Sequence, residues 1–192
     1  VDYPDILQIQ YGIRLLEELQ AFKTRKTKFG EKRELTQIGR QLAQLPIDPR
    51  LGRMVIEAAK NGSLHEVMMI VSALSIQDPR ERPQEKQQAS DEKHRRFADK
   101  DSDFLAFVKL WHYIQTQQKA LIKNQFRKQC QKDFLNYLRV REWQDIYHQL
   151  RLSVREMGLP INTLEANYQQ IHTALLAGLL SHIGLKDSEK MH

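Results

Sequence analysis

Five side chains spaced three and four apart, Arg141, Gln144, His148, Arg151 and Arg155, carry the most suggestive chemistry in the sequence. On a helix that spacing puts all five on one face, about 20 Å from end to end. Arginine forks match phosphate oxygens, so such a row can meet the backbone of a nucleic-acid strand. Glu142 and Asp145 lie beside it, and the same face also reads as a solvated surface with Arg141 held by Asp145 at i+4. Charge distribution singles out the same region: residues 119–155 hold nine Lys/Arg against three Asp/Glu, a surplus equal to the whole net charge of +6. Residues 34–118 balance at twelve of each, the first 33 give +2 and the last 37 give −2. A basic surface confined to one segment points to a polyanionic partner meeting one face. Phe22 to Arg33, with six Lys/Arg and one Glu, is a second basic stretch.

Catalytic patterns are missing. Asp91-Glu92-Lys93-His94 spells a string that, in a nucleotide-hydrolysing motor, would hold Mg²⁺ and position the attacking water. That role requires a buried apolar strand before it and a phosphate loop ending in Gly-Lys-Ser/Thr, whereas Gln87-Gln88-Ala89-Ser90 precedes it and no glycine is followed by lysine. His65-Glu66 lacks the second histidine of a zinc-protease helix, and neither His172 nor Ser181-His182 has catalytic flanks. Cys130 is the single cysteine, so no internal disulfide forms, and it reads as a half-buried inert thiol despite basic neighbours. A reducing compartment, the cytoplasm, is the expected location.

The elements that would carry these residues read as mainly helical. Of 192 residues, 41% are hydrophobic and 28% charged, with eight glycines and six prolines. No apolar run approaches the roughly 18 residues of a membrane span, so no membrane partner is expected. Apolar spacing predicts a helix from Asp5 to Phe22, a ribbon from Lys23 to Leu35 turning at Gly30, and two helices meeting at a corner between Pro46 and Pro49. Thr36 is placed to cap the first of these two, which carries Ile38, Leu42 and Leu45; the second carries Leu51, Met54, Val55 and Ala58. Asn61-Gly62 stops it and Ser63 caps the next. A surface connection at Pro79–Pro83 leads to a polar helix over 84–97, then an apolar-faced helix from Asp101 or Ser102, and a short basic helix near 121–130. From Asp133 to Met157 the seam Tyr137, Val140, Trp143, Tyr147, Leu150, Val154 and Met157 defines one long helix, ended by Gly158 and Pro160. A last helix over 164–180 and a polar tail complete the chain. The pattern begins without an initiator methionine, which reads as a piece of a longer protein.

The segment Glu34 to Ala59, ELTQIGRQLAQLPIDPRLGRMVIEAA, resembles the start of the accessory region that follows the motors of DEAH-type RNA helicases. Ser75 to Pro83, Ala89 to Phe97, Ser102 to Phe107 and Phe134 to Arg139 follow in that family's order, and together they resemble the bacterial HrpA-like members. The resemblance implies a small winged-helix domain over 1–61 and a helical-bundle, ratchet-like domain over 62–192. It implies motor domains upstream, which would bind ATP and Mg²⁺, an oligonucleotide-binding domain downstream, and no cofactor or catalytic residue within this stretch.

In that family the long ratchet helix faces single-stranded RNA. The matching residues here are Asn136 to Arg141, with Leu138 standing where the family usually has arginine, so Arg139 or Arg141 is expected to take that contact. Asn136, Arg139, Arg141, His148, Arg151 and Arg155 are thus the candidate RNA-binding residues, although Asn136 and Tyr137 equally read as a helix-capping hydrogen bond and a core aromatic. The winged helix is expected to pack on the motors as a hub, with Arg50 and Arg53 at that interdomain interface; a duplex-groove role for Arg40, Arg50 and Arg53 is the other reading. The expected function is the accessory region of an ATP-dependent RNA helicase, an NTP hydrolase, gripping single-stranded RNA by its backbone. The alternative is a helical protein-interaction scaffold whose basic face binds an acidic partner.

Overall fold

The computed structural model describes residues 6–188, with side chains from Gln10 to Leu179. Among the described residues it is mainly helical, with nine α-helices and one two-stranded antiparallel ribbon. The chain forms two compact units: the described parts of Val1–Val67 and Leu152–His192, and Met68–Arg151. The partition 1–61 and 62–192 drawn from the sequence cuts the chain once, whereas here the chain returns to the first unit after Arg151.

In the first unit, α1 (Ile6–Glu18) stops four residues before the expected end. Gln20 adopts a positive φ of 61° and Ala21 N–H bonds back to Leu16 O at 2.7 Å, which turns the chain into β1 (Phe22–Thr27). Lys28 and Phe29 form the tip, and Gly30, with φ +118°, opens β2 (Gly30–Leu35). Thr36 caps α2 (Gln37–Gln44) as expected: its Oγ1 accepts from Gly39 N–H at 3.0 Å while its hydroxyl donates to Gln20 O. Gly39 must be glycine, because a Cβ there would sit 2.1 Å from Ala21 O.

Asp48 and Pro49 start α3 (Pro49–Asn61), the Asp48 carboxylate accepting from Arg50 N–H at 2.9 Å. Gly62, left-handed at φ +80°, ends it. The final helix, α9 (Tyr168–Ser188), runs further than the sequence suggested and lies directly on α3. A Cβ at Gly178 would stand 2.3 Å from Arg50 O, so backbone approaches backbone there. Asn61 and Gln170 exchange side-chain to carbonyl hydrogen bonds of 2.7 and 2.8 Å across the same pair. Buried Glu66 accepts from Asn162 Nδ2 and from Ala166 N–H, which fixes the loop before α9. The last tail residues, 189–192, and the predicted helix start at Asp5 lie outside the described residues.

The second unit holds most of α4 (Leu64–Leu74), α5 (Gln87–His94), α6 (Asp103–Ala120), α7 (Lys123–Lys132) and most of α8 (Tyr137–Glu156). The polar helix expected over 84–97 is three pieces: α5 is flanked by single 3₁₀ turns at Gln84–Lys86 and Arg95–Phe97. At the second of these turns His94 reaches the carbonyls of Asp133 and Phe134 and Arg96 reaches the Asp133 carboxylate. Ser102 caps α6 through Leu105 N–H at 3.3 Å. The core is aromatic: Trp111 meets Trp143 at 5.1 Å and Tyr147 at 4.4 Å between ring centroids, and Phe107 meets Trp143 edge-on at 6.1 Å. Trp143 Nε1–H donates to Met69 O at 2.9 Å, so the largest side chain of the α8 seam is both buried and hydrogen-bonded.

Candidate nucleic-acid interface

The long helix starts later than its apolar pattern suggested, and the reason lies in the backbone before it. Phe134 takes φ 54°, and Leu135 then forms an isolated antiparallel bridge with Arg80. Glu81 N–H donates to Phe134 O and Asn136 N–H to Pro79 O, both at 2.8 Å, so residues 134–136 run as an extended clip beside 79–81. Helix α8 therefore begins only at Tyr137. Of its predicted seam, Val140, Trp143, Tyr147, Leu150 and Val154 are buried, while Tyr137 is half-buried and Met157, also half-buried, lies just past the helix end.

Asn136 acts as the cap of α8. Its Oδ1 accepts from Arg139 N–H at 3.0 Å and its Nδ2 donates to Glu81 Oε1 at 2.8 Å, so its polar atoms are committed to the fold. Arg139 is half-buried and donates from Nη1 to Asp78 O at 3.2 Å. Asp78 in turn holds Arg80 through a bidentate contact of 3.0 and 2.8 Å. Burial pushes the Asp78 carboxyl upward, but the hydrogen bonds from Arg80 outweigh it and hold the group below its ordinary value. Tyr137, half-buried, packs edge-on to Phe126 at 6.1 Å with the Arg127 guanidinium 5.5 Å from its ring.

Further along α8 the picture changes. Arg141, His148 and Arg155 are exposed and Arg151 is half-exposed, and the three arginines make no ion pair among the described residues. The expected pairing of Arg141 with Asp145 is therefore not formed. At 100° per residue, Arg141, His148, Arg151 and Arg155 lie within an arc of about 80°. Glu142, Asp145 and Glu156 fall on the other flank of the exposed face, so the helix carries a basic edge and an acidic edge. Gln144, the fifth member of the row, is taken out of it: it exchanges hydrogen bonds of 3.0 and 2.7 Å with Gln118 of α6.

A buried carboxylate anchors the start of this helix, and nothing in the local sequence announces it. Asp133, 1% exposed, receives the Tyr113 hydroxyl at 2.5 Å, Gln129 Nε2 at 3.1 Å and the Arg96 guanidinium at 2.6 Å. Burial and the bond to Asp133 both push the Tyr113 phenol up. Arg96 also lies over the rings of Phe97 and Tyr113, at 4.7 and 4.3 Å. The His94 ring contacts the carbonyls of Asp133 and Phe134 at 2.9 and 3.1 Å. Asp91 pairs with Arg82 at 2.7 Å, which holds its carboxyl low.

The Asp91-to-His94 string thus fastens α5 to the clip before α8, and its groups do not fit a Mg²⁺–nucleotide site. No group of three or more potential metal ligands occurs among the described residues. Cys130 is 1% exposed; burial first, and the nearby Asp133 charge second, push its thiol up to about 11.

These features can be set beside known proteins. Residues 48–107 match the family described as "Helicase associated domain (HA2), ratchet-like". Over 190 residues, 99% of the chain, the sequence is 74% identical to the ATP-dependent RNA helicase HrpA homolog of Haemophilus influenzae, covering 15% of that protein. It is 64% identical over the same share to ATP-dependent RNA helicase HrpA of Escherichia coli, covering 14% of it. The chain is thus similar almost throughout to a segment of HrpA helicases and, over residues 48–107, to the ratchet-like helicase-associated domain. A more distant relative, DExH-box ATP-dependent RNA helicase DExH1 of Arabidopsis thaliana, is 26% identical over 94% of the chain.

The chain spans about 15% of the length of these two HrpA relatives. The HA2 match opens within the α3 cap at Asp48 and closes in α6 at Phe107, so it contains the Asp78–Glu81 strip that ties down Asn136 and Arg139. Arg50 and Arg53 lie on α3, half-buried; Arg50 Nε and Arg53 Nη1 are buried with no hydrogen-bond partner among the described residues, while Arg53 Nη2 pairs with Glu57 at 3.0 Å. Among the described residues no helix is long and apolar enough to cross a membrane.

Proposed function

We propose that this chain is the accessory region of an ATP-dependent RNA helicase, and that it grips single-stranded RNA by its backbone while motor domains elsewhere in the protein hydrolyse ATP with Mg²⁺. The observation that carries this reading is the basic edge of α8: Arg141, Arg151 and Arg155, with His148 between them, unneutralised by any ion pair among the described residues. Free guanidinium groups in a row about 21 Å long suit successive phosphates and carry no base specificity. Asn136 and Arg139 serve here as positioning residues, since their polar atoms hold the start of α8 to residues 78–81.

Residues 1–61 act in this proposal as the winged-helix part and 62–192 as the ratchet, working in the cytoplasm beside an oligonucleotide-binding domain. The unpartnered nitrogens of Arg50 and Arg53 support a place for that stretch of α3 at an interface with the rest of the protein. In the intact protein, changing Arg141, Arg151 and Arg155 together to alanine should depress RNA-stimulated ATP hydrolysis and unwinding; activity equal to the parent's overturns the proposal.

One observation favours the second reading, a scaffold for an acidic partner protein. Leu138 and Leu152, 70% and 61% exposed, share the outer face of α8 with the arginines. Under that reading Leu138→Ser and Leu152→Ser abolish partner capture and leave RNA binding untouched.

A further inference from the structure

We infer that the β1–β2 ribbon is a separate single-strand contact, in which Phe29 stacks on a nucleobase and Lys23, Arg25 and Lys32 meet the flanking phosphates. The inference rests on the RNA-binding reading above but uses none of the α8 residues.

The ribbon's register sorts its side chains. Cross-strand partners share a face, so Lys23 with Glu34 and Arg25 with Lys32 lie on one side, and Phe22 with Leu35, Thr24 with Arg33 and Lys26 with Glu31 lie on the other. The second side is satisfied from within the fold: Glu17 of α1 takes Arg33 at 3.8 Å and Thr24 Oγ1 at 3.4 Å, and Lys26 stands opposite Glu31. The first side is not. Arg25 and Lys32 stand directly opposite one another, both exposed, and like charges in that position destabilise the pair unless an anion comes between or above them. The one acid on that side, Glu34, meets Lys32 at 3.7 Å and leaves Lys23 and Arg25 unpaired among the described residues.

The tip supplies the complementary feature. Phe29 is fully exposed, at 101% of its reference area, between Lys28 and Gly30. It does not hang on a loose loop: the Thr27 hydroxyl donates to Gly30 O at 2.7 Å and its Oγ1 accepts from Phe29 N–H at 3.4 Å, so the two-residue turn is pinned and the ring projects. An aromatic face beside a row of cations suits a single-stranded nucleic acid, where base stacking and phosphate contact occur together. An acidic protein would use the charges but has no use for the ring.

The test uses the full-length protein and single-stranded RNA carrying 5-iodouracil, with photocrosslinked peptides mapped by mass spectrometry and affinity measured against salt. The expected result is a crosslink at Phe29, its loss in Phe29→Ala, an affinity drop of about fivefold or more in that variant, and recovery of both in Phe29→Trp. Arg25→Ala with Lys32→Ala should lower the salt slope by about 1.4. Because Phe29 is exposed, its variants should melt as the parent does. If Phe29→Ala binds like the parent while the α8 triple variant loses RNA, the ribbon inference falls and the proposed function stands. If the parent protein binds no single-stranded RNA, both fall. Equal loss of binding to poly-glutamate and to RNA in Phe29→Ala also overturns the ribbon assignment.

Discussion

The first turn of α8 and the turns that follow carry the same kinds of side chain and put them to different use. At the start, Asn136 and Arg139 spend their polar atoms on Glu81, on the Asp78 carbonyl and on the helix's own N–H. From the second turn on, Arg141, Arg151 and Arg155 have no ionic partner among the described residues. Arginine as such therefore says little about function. What marks the start is the backbone clip formed there by residues 79–81 beside 134–136. The comparison predicts that variants at the start and in the seam change stability, and that variants on the basic edge change binding.

The largest effect should come from the seam beneath that edge. Trp143→Ala removes a fully buried ring that meets Trp111 and Phe107 and donates to Met69 O, and should cost about 3–5 kcal/mol in urea unfolding. Next is the pH dependence of the anchor. The Cys130 thiol is pushed up to about 11 from 9.0, so the folded state holds its proton more tightly than the unfolded one. Its contribution is complete below about pH 9 and is lost as pH rises towards 11, a swing of about 2–3 kcal/mol that Cys130→Ala should remove from the pH profile of the urea midpoint. In the same state the thiol should resist iodoacetamide at neutral pH.

A smaller effect sharpens the contrast on α8 itself. Asn136→Ala removes the cap and leaves Glu81 without its partner, which should cost about 1–2 kcal/mol of stability while leaving the salt dependence of RNA binding as it was. The smallest effect on stability belongs to the basic edge. Arg141→Ala, Arg151→Ala and Arg155→Ala should each fall within about 0.5 kcal/mol of the parent, because they are exposed or half-exposed and unpaired.

Local signals wrote much of this into the sequence. The caps at Thr36 and Ser102, the stop at Gly62, and the α8 seam from Val140 to Val154 all follow from residue type and spacing, and all appear in the fold. The features that were not legible depend on residues far apart in the chain. Gln144 looks like a member of the basic row, and only the arrival of Gln118, 26 residues earlier, removes it. Asn136 presents itself equally as a contact or a cap, and the bond from its Nδ2 to Glu81, 55 residues away, could not be read from its neighbours. Asp133 is an ordinary acid in sequence, and its burial becomes visible only when Tyr113, Gln129 and Arg96 converge on it. The break at Arg95–Phe97 has the same character, since His94 and Arg96 on either side of it reach Asp133.

The most direct test of this account is the salt dependence of single-stranded RNA binding by the intact protein, parent against the Arg141, Arg151 and Arg155 triple alanine variant. Three lost phosphate contacts predict that the slope of log affinity against log salt becomes shallower by about 2, with the melting temperature unchanged. An unchanged slope would contradict the assignment of the α8 basic edge to RNA.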